Sequence, residues 1–528
     1  MFTPSKYQLA VKAWLDSAIA FITGKGPAVR SAIVSAVPGS GKTTTLVWLT
    51  QFIPSSVRIA FFSFGRDIVK ELATRCPNAF CKTFNALGSQ AIRTKLAGTW
   101  IRLHDGKKVM NKTLAILCDM YPKDAKGERP AEYLLYKAFI MRLVSLAKNA
   151  GIGTHLCEDT PEAWRKLIAY HSLDLGSKAA KEERAIEIAQ DVLRTSNQWS
   201  LSGKIDFDDQ LYLVELWDLI LPTFDLVLID EGQDTNAIQH AMVLRMRRSD
   251  GKTRFLIVGD EKQAIYGFRG ADAEAMNRAR KLFDTQDYKL SVCYRCSKAV
   301  IDNANLVFPE VGMEAGENSV QGNVESLNGY SESTFKTTDA ILCRNVAPLV
   351  KLAYQFILKR ISCHILGREI GEGLVRLVER MDATDVTDLQ TKLDEFQARE
   401  TARLLEKNRG TQAEAINDSC DCIRLFISSL KESNRTIQAL VDSITSLFEN
   451  RDGITLATVH KSKGLEFPRV FILDYGLIPS KHAKQDWQKE QENNLKWVAN
   501  TRAKVDLFYI DSDAWGNEDE ESKETASD

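Results

Sequence analysis

Eight residues, Ala36-Val37-Pro38-Gly39-Ser40-Gly41-Lys42-Thr43, have the types and spacing of a loop that grips phosphate. Glycines let the backbone wrap closely, so that amide N–H groups point at phosphate oxygens. Lys42 can reach the outer phosphates of a nucleoside triphosphate, and the Thr43 hydroxyl can ligate Mg²⁺. The apolar run Ala32-Ile33-Val34 before the loop reads as a buried strand. Thr44-Thr45-Leu46-Val47-Trp48-Leu49 after it reads as the start of a helix, whose N-terminus adds partial positive charge. Thr44 therefore belongs to the same phosphate turn. Ala36 departs from the usual pattern, which has glycine at this place. The competing reading is a chance glycine-rich turn, and the flanking strand, helix and Lys-Thr pair argue against it.

A second group lies downstream. Phe224-Asp225-Leu226-Val227-Leu228-Ile229 is a strand that ends in Asp230 and Glu231. Such a strand end delivers Asp230 to the Mg²⁺ of a phosphate loop and leaves Glu231 to orient or deprotonate an attacking water. The next apolar run, Phe255-Leu256-Ile257-Val258, leads into Gly259-Asp260-Glu261-Lys262-Gln263. Gln263 sits just past that strand, where ligands of parallel sheets collect. Tyr266, Phe268 and Arg269 follow as an aromatic-basic cluster able to stack on bases, with Gly267 and Gly270 arguing for a loop over a core strand. Near the N-terminus, Gln8 offers an amide that is both donor and acceptor, as an adenine edge requires.

Composition sets the frame. The chain has 528 residues, 44% of them apolar, and a net charge of −1. A nucleic-acid site must therefore be a local groove, not a global field. No apolar run approaches ~20 residues, and the start lacks the basic-then-apolar order of a signal peptide, so a soluble intracellular (cytoplasmic) protein without membrane partners is expected. Ten cysteines include one CxxC, Cys293-Tyr294-Arg295-Cys296, and one CxC, Cys420-Asp421-Cys422. These fall short of the paired spacings of a structural zinc site, and reduced thiols are expected.

The elements that must position these residues alternate between strand and helix, the pattern of parallel α/β sheets. Residues 5–23 read as an amphipathic helix with Leu9, Trp14, Leu15, Ile19 and Ile22 on one face. The first α/β domain is read at 1–90 and 205–280, interrupted by a helical insertion at 91–204. There Leu135, Phe139, Leu143 and Leu146 recur helically, as do Ala185, Ile188, Ala189, Val192 and Leu193. A second α/β domain is read at 281–383 and 450–511, with a smaller charged helical insertion at 384–449. Its first strand is read over Lys289–Arg295. Residues 512–528 hold Glu518-Asp519-Glu520-Glu521 and read as an acidic disordered tail.

The ordered set YQ, AVPGSGKT, SFGRDIVKEL, TFNALG, LVLIDEGQD, VGDEKQAIYGFRGA, YR, TVHKSKGLEF and VANTRA resembles the UvrD/Rep-like superfamily 1 DNA helicases, from Gln8 to about Ile510. The resemblance implies two RecA-like P-loop NTPase domains with ATP bound between them and a mainly helical insertion in each. It implies that Gln8 reads adenine, that Lys42 and Thr43 hold phosphates and Mg²⁺, and that Asp230 binds Mg²⁺ while Glu231 activates water. Gln263 would sense the γ-phosphate, Tyr294 would stack near the base, and Glu466 would touch the ribose. Arg295 and Arg502, both from the second domain, would be arginine fingers. Phe64, Thr83, Phe84, Asn85, Tyr266, Phe268, Arg269 and His460 would line a single DNA strand. Two of these depart from the family pattern: Asn85 replaces a histidine, and Phe268 stands where many members have tryptophan.

By the same resemblance the chain would translocate 3′ to 5′ on single-stranded DNA, engage single-strand/duplex junctions and act as a monomer. It would serve repair, replication or recombination, in association with a nucleoid if the source is bacterial or phage. A nucleotide-dependent binding switch, or a translocase that displaces proteins without processive unwinding, is the competing class. Glu231, Arg295 and Arg502 favour turnover over a passive switch. A helicase–nuclease fusion is disfavoured, because no cluster of carboxylates on a long extension follows Arg502.

Overall fold

A computed structural model describes residues 3–63, 65–177, 179–265, 274–449 and 452–516. The chain divides into two units, Met1–Ala36 with Gly41–Leu290, and Ser291–Asp528 with Val37–Ser40.

The first unit runs α1 (Lys6–Ile22), β1 (Ser31–Ala36), α2 (Lys42–Thr50), β2 (Ile59–Phe62), α3 (Arg66–Arg75), β3 (Ala79–Lys82) and α4 (Phe84–Lys95). A short strand β4 (Arg102–Leu103) precedes four helices, α5 (Lys112–Met120), α6 (Ala131–Ala150), α7 (Pro161–Tyr170) and α8 (Glu182–Leu201). The chain returns through β5 (Lys204–Ile205), α9 (Asp209–Leu216), β6 (Leu226–Ile229), α10 (Ala237–Arg245), β7 (Arg254–Gly259), α11 (Ala275–Phe283) and β8 (Thr285–Leu290).

Six strands form one sheet in the order β3-β2-β6-β7-β1-β8, every pairing parallel. The four inner strands, β2, β6, β7 and β1, are mainly apolar because both faces are covered, whereas the edge strands β3 and β8 are only partly buried. The period-two geometry then splits each strand between two cores. Ala32, Val34, Leu226, Leu228, Leu256 and Val258 pack with Val11, Trp14 and Leu15 of α1 and Leu46 of α2. Ile33, Val227, Ile229, Phe255 and Ile257 face the opposite side, whose core is continuous with Phe139, Leu143, Ala189 and Val192 of the inserted helices. The helical stripes read from the sequence in the insertion are thus buried. On α1 the buried face is Val11, Trp14, Leu15, Ala18 and Ile22, while Leu9 is exposed. The insertion is not purely helical, since β4 pairs in parallel with β5.

The second unit runs β9 (Val292–Cys293), α12 (Lys298–Val307), β10 (Glu314–Ala315), β11 (Asn323–Ser326), β12 (Ala340–Cys343), α13 (Ala347–Leu358) and β13 (Cys363–Ile365). Then come α14 (Arg368–Arg380), α15 (Val386–Glu406), α16 (Gly410–Ser429) and α17 (Ile437–Leu447). The chain finishes through β14 (Ile454–Thr458), α18 (Val459–Ser462), β15 (Phe467–Leu473), α19 (Asp486–Asn500) and β16 (Ala503–Ile510). A second parallel sheet has the order β11-β16-β15-β12-β14-β13. Leu389, Leu393 and Phe396 of α15 and Leu440, Ile444 and Leu447 of α17 share one core with Ile341, Leu456 and Phe471 of the sheet.

Three boundaries differ from the sequence reading. The strand expected over Lys289–Arg295 is broken at Ser291 into β8 and β9. The helical block of the second unit starts with α14, whose Leu374 and Val378 are buried in the same core. The tail does not begin at 512. Trp515 packs edge-on to Tyr330 at 5.7 Å and to Phe356 at 5.6 Å, and Gly516 N–H donates to the Tyr330 carbonyl at 2.9 Å. An apolar Trp in that stretch has a core to join. Residues 517–528 lie outside the described residues. Among the described residues no helix is long and apolar enough to cross a membrane.

Candidate active site and nucleic-acid track

The phosphate loop joins β1 to α2. Gly41 is the N-cap of α2 in the left-handed region at φ 73°, which a side chain rarely adopts. Its carbonyl accepts from Thr45 N–H at 2.7 Å and from the Thr45 hydroxyl at 2.8 Å, locking the turn. Ser40 Oγ is buried and makes no hydrogen bond among the described residues. A buried hydroxyl without a partner is costly, and a phosphate oxygen would satisfy it.

Asp230 and Glu231 arrive from the end of β6. Thr43 Oγ1 donates to Asp230 Oδ2 at 2.5 Å, and Lys42 Nζ lies 3.6 Å from Glu231 Oε2. A hydroxyl and a carboxylate side by side are the hard oxygen donors that Mg²⁺ takes. Burial first, and the adjacent Glu231 carboxylate second, push the Asp230 carboxyl up to about 6. A bound divalent cation would reverse that cost. Glu231 occupies the left-handed region at φ 54°, a strained conformation for a side-chain-bearing residue. The strain is fixed by close packing behind it. A Cβ on Gly232 would come within 2.5 Å of Ile257 Cγ2 on β7, so only glycine lets the turn lie this close.

One residue that sequence reasoning left without a role completes the group. Gln233, buried, donates Nε2–H to Glu231 Oε2 at 2.7 Å, while its Oε1 accepts Asp260 N–H at 3.0 Å. Asp260 Oδ2 in turn accepts from Gln263 Nε2 at 2.7 Å. A continuous polar chain thus runs from Glu231 through Gln233 and Asp260 to Gln263, tying the end of β6 to the end of β7. The motif letters GQD and VGDEKQ contained these residues; only the fold reveals that they touch.

Gln8 differs from its expected role. It is 1% exposed, its Nε2 donates to Thr45 Oγ1 at 2.8 Å, and its Oε1 accepts Ser5 N–H at 2.8 Å in a capping box. The amide is turned inward and ties α1 to α2, with one N–H donor and one acceptor site already engaged.

In the second unit, Arg295 makes an ion pair with Glu466, and Lys504 Nζ lies 2.8 Å from Glu466. Burial pushes the Glu466 carboxyl up, but Lys504 and Arg295 outweigh it and hold the group below its ordinary value. Tyr294 is half exposed. Arg502 is buried: its Nε donates to the Val498 carbonyl at 3.0 Å, Nη1 to the Leu465 carbonyl at 3.2 Å and Nη2 to Thr501 Oγ1 at 3.1 Å. Cys293 and Cys296 are both free thiols on either side of Tyr294-Arg295.

Of the residues expected to line a strand, Phe64, Tyr266, Phe268 and Arg269 lie outside the described residues. Thr83 is the N-cap of α4 and accepts Ala86 N–H at 3.1 Å. Asn85 is partly exposed on the first turn of that helix, and His460 is partly exposed on α18. Phe84 is corrected. It is 2% exposed and stacks on Phe62 at 4.7 Å with 12° between planes, so it is a core residue. Phe207 is a neighbouring surface aromatic. It is 43% exposed, and its carbonyl accepts the Asn85 amide at 3.1 Å. Its loop is held by a buried ion network in which Lys148 Nζ lies 2.7 Å from both Asp206 and Asp209, and Lys112 Nζ lies 2.6 Å from Asp209. An exposed aromatic between aspartates was the available signal.

The UvrD/REP helicase N-terminal domain model matches residues 26–284, and the UvrD-like helicase C-terminal domain model matches residues 378–513. F-box DNA helicase protein 1 of Schizosaccharomyces pombe is 25% identical over 520 residues, covering 91% of this chain and 55% of that protein. F-box DNA helicase 1 of Gallus gallus is 23% identical, over 91% of this chain and 47% of that protein. The probable DNA helicase II homolog of Mycoplasma genitalium is 25% identical over 417 residues, covering 58% of each chain. The chain therefore spans about half the length of the F-box relatives it matches.

Proposed function

The chain belongs to the UvrD/Rep-like superfamily 1 helicases, and from that premise we propose that it is an ATP-driven DNA helicase moving 3′ to 5′ along single-stranded DNA inside the cell. The observation that carries this is the meeting of Lys42, Thr43, Asp230 and Glu231 at one point of the first unit. Three of these groups bind charge and one is a base, which is what phosphoryl transfer to water needs.

Lys42, Ser40 and the loop amides bind the phosphates. Mg²⁺, held by Thr43 and Asp230, would supply positive charge to the phosphate oxygens. Glu231 takes a proton from the attacking water. Gln233 keeps the Glu231 carboxylate aimed, and Gln263, linked to it through Asp260, is the group that reports the γ-phosphate. Arg295 and Arg502 are assigned as charge-stabilising arginines, on the strength of the matching YR and VANTRA motifs. Thr83, Asn85, Phe207 and His460 are assigned to the strand, with stacking on Phe207 serving any base.

The test is unwinding of duplexes that carry a 3′ or a 5′ single-stranded tail, with Glu231→Gln as the inactive control. Unwinding from the 3′ tail alone, lost in Glu231→Gln, is the expected result. DNA-stimulated ATPase without unwinding or translocation would instead make the chain a nucleotide-driven binding switch.

A further inference from the structure

The chain as a whole is nearly neutral, yet one surface of the first unit is not. Between residues 82 and 110 stand Lys82, Arg93, Lys95, Arg102, Lys107 and Lys108, against a single acid, Asp105. That acid is turned into its own loop, where Oδ1 accepts the N–H groups of Lys107 at 2.9 Å, Lys108 at 2.9 Å and Val109 at 3.2 Å. Among the described residues, the side chains of Arg93, Lys95, Arg102, Lys107 and Lys108 make no ion pair. All five are exposed.

Within this stretch stands Trp100, 87% exposed. Its place is fixed, not a loose tip. Thr99 N–H donates to the Leu96 carbonyl at 2.9 Å, Arg102 N–H donates to the Gly203 carbonyl at 2.8 Å, and β4 pairs with β5 directly after it. A Cβ on Gly203 would come within 2.4 Å of the Trp100 carbonyl oxygen, so the two backbones touch. An indole 87% exposed on a hydrogen-bonded backbone, in a stretch of cations without ion pairs, differs from the scattered surface apolar residues that need no explanation.

Helix α4 connects this patch to the strand track. Its first turn carries Asn85, capped by Thr83, and its last turn carries Arg93 and Lys95. Ala86, Gln90, Arg93 and Thr94 form its exposed face. The helix is about 18 Å long, so one strand can span both of its ends. Cations in line with an exposed aromatic are the elements of a sequence-tolerant single-strand site.

We propose that the Trp100 surface is a second contact for single-stranded nucleic acid, with a base stacked on Trp100 and phosphates against Arg93, Lys95, Arg102, Lys107 and Lys108. This rests on the helicase reading above. The occupant is the continuation of the strand held at Asn85, because α4 runs from Asn85 to Arg93 and Lys95.

The test uses the full chain and oligothymidylates of about 8 and about 24 nucleotides. Trp100→Ala should weaken binding of the long oligomer about tenfold and leave the short one unchanged, with Trp100→Phe restoring affinity. A Lys107→Glu, Lys108→Glu double variant should lower the slope of log affinity against log salt by about 0.7 per lost contact. A loss confined to a fork bearing a long displaced arm, with the long oligomer unaffected, overturns the assignment to the continuing strand. Unchanged binding of the long oligomer and of the fork in both variants overturns the proposal and leaves the surface to a protein partner. Failure of the unaltered chain to bind either oligomer would instead remove the helicase reading itself.

Discussion

Among the described residues Gln233 makes no hydrogen bond to the phosphate loop, yet its loss should slow hydrolysis. Its amide makes two bonds, one to the Glu231 carboxylate at 2.7 Å and one to Asp260 N–H at 3.0 Å. Gln233→Leu keeps most of the volume and removes both. The bond to a charged carboxylate is worth about 2 kcal/mol, and if that energy holds Glu231 in its reactive orientation, kcat should fall about 30-fold. KM for ATP should stay within about threefold, because Lys42, Ser40 and Thr43 are untouched. Gln233→Glu sharpens the test. It places a second carboxylate where an N–H donor stood, so the two acids repel until one is protonated. Its kcat should lie below that of Gln233→Leu at neutral pH and recover part of the difference as pH falls towards about 5.5, opposite to the trend expected of the unaltered chain. Steady-state ATPase with saturating single-stranded DNA measures both. An unaltered kcat in Gln233→Leu, or a rise in KM alone, would refute the coupling of Glu231 to Gln233.

Asp230→Asn should trade activity for stability. The folded chain holds the Asp230 proton to about 6, against 3.8 ordinarily, so this group favours folding fully below 3.8 and loses that contribution as pH rises through about 6. At about 1.4 kcal/mol per tenfold change in proton affinity the loss is about 3 kcal/mol. A neutral amide escapes it, so urea midpoints taken with chelator should favour Asp230→Asn at about pH 8 and converge at about pH 4, while its ATPase is abolished. An equal offset at both pH values would count against a buried, proton-retaining Asp230. Phe84→Ala should destabilise the first unit by about 3–5 kcal/mol, read by thermal or urea unfolding. Below its melting temperature it should bind a short oligonucleotide normally, and selective loss of binding with full stability would return Phe84 to the strand track.

Much of the fold was legible because parallel sheets, covered on both faces, write their strands as unbroken apolar runs. Ala32–Val34, Leu226–Ile229 and Phe255–Val258 are such runs, and the chemistry stands at their ends, so Lys42, Asp230 and Gln263 could be placed by eye. What sequence could not give is which neighbour captures a side chain. Gln8 and Phe84 carry the right letters at the right spacing, but Thr45 and Phe62, from other elements, draw them inward. Gln233 stood in a quoted motif without a role, because its second partner, Asp260, lies at the end of a different strand.

Arg502 shows the same limit from the other direction. The motif nominates it as an arginine finger, whereas its guanidinium is spent on Val498, Leu465 and Thr501. Guanidinium geometry reconciles the two. Nε can stay on the Val498 carbonyl as an anchor while Nη1 and Nη2, bound at 3.2 and 3.1 Å, exchange their partners for phosphate oxygens. A charge-assisted bond to phosphate is roughly twice as strong as one to a neutral acceptor. If Arg502 acts as a finger, as proposed, the phosphate bonds would have to outweigh the loss of those to Leu465 and Thr501.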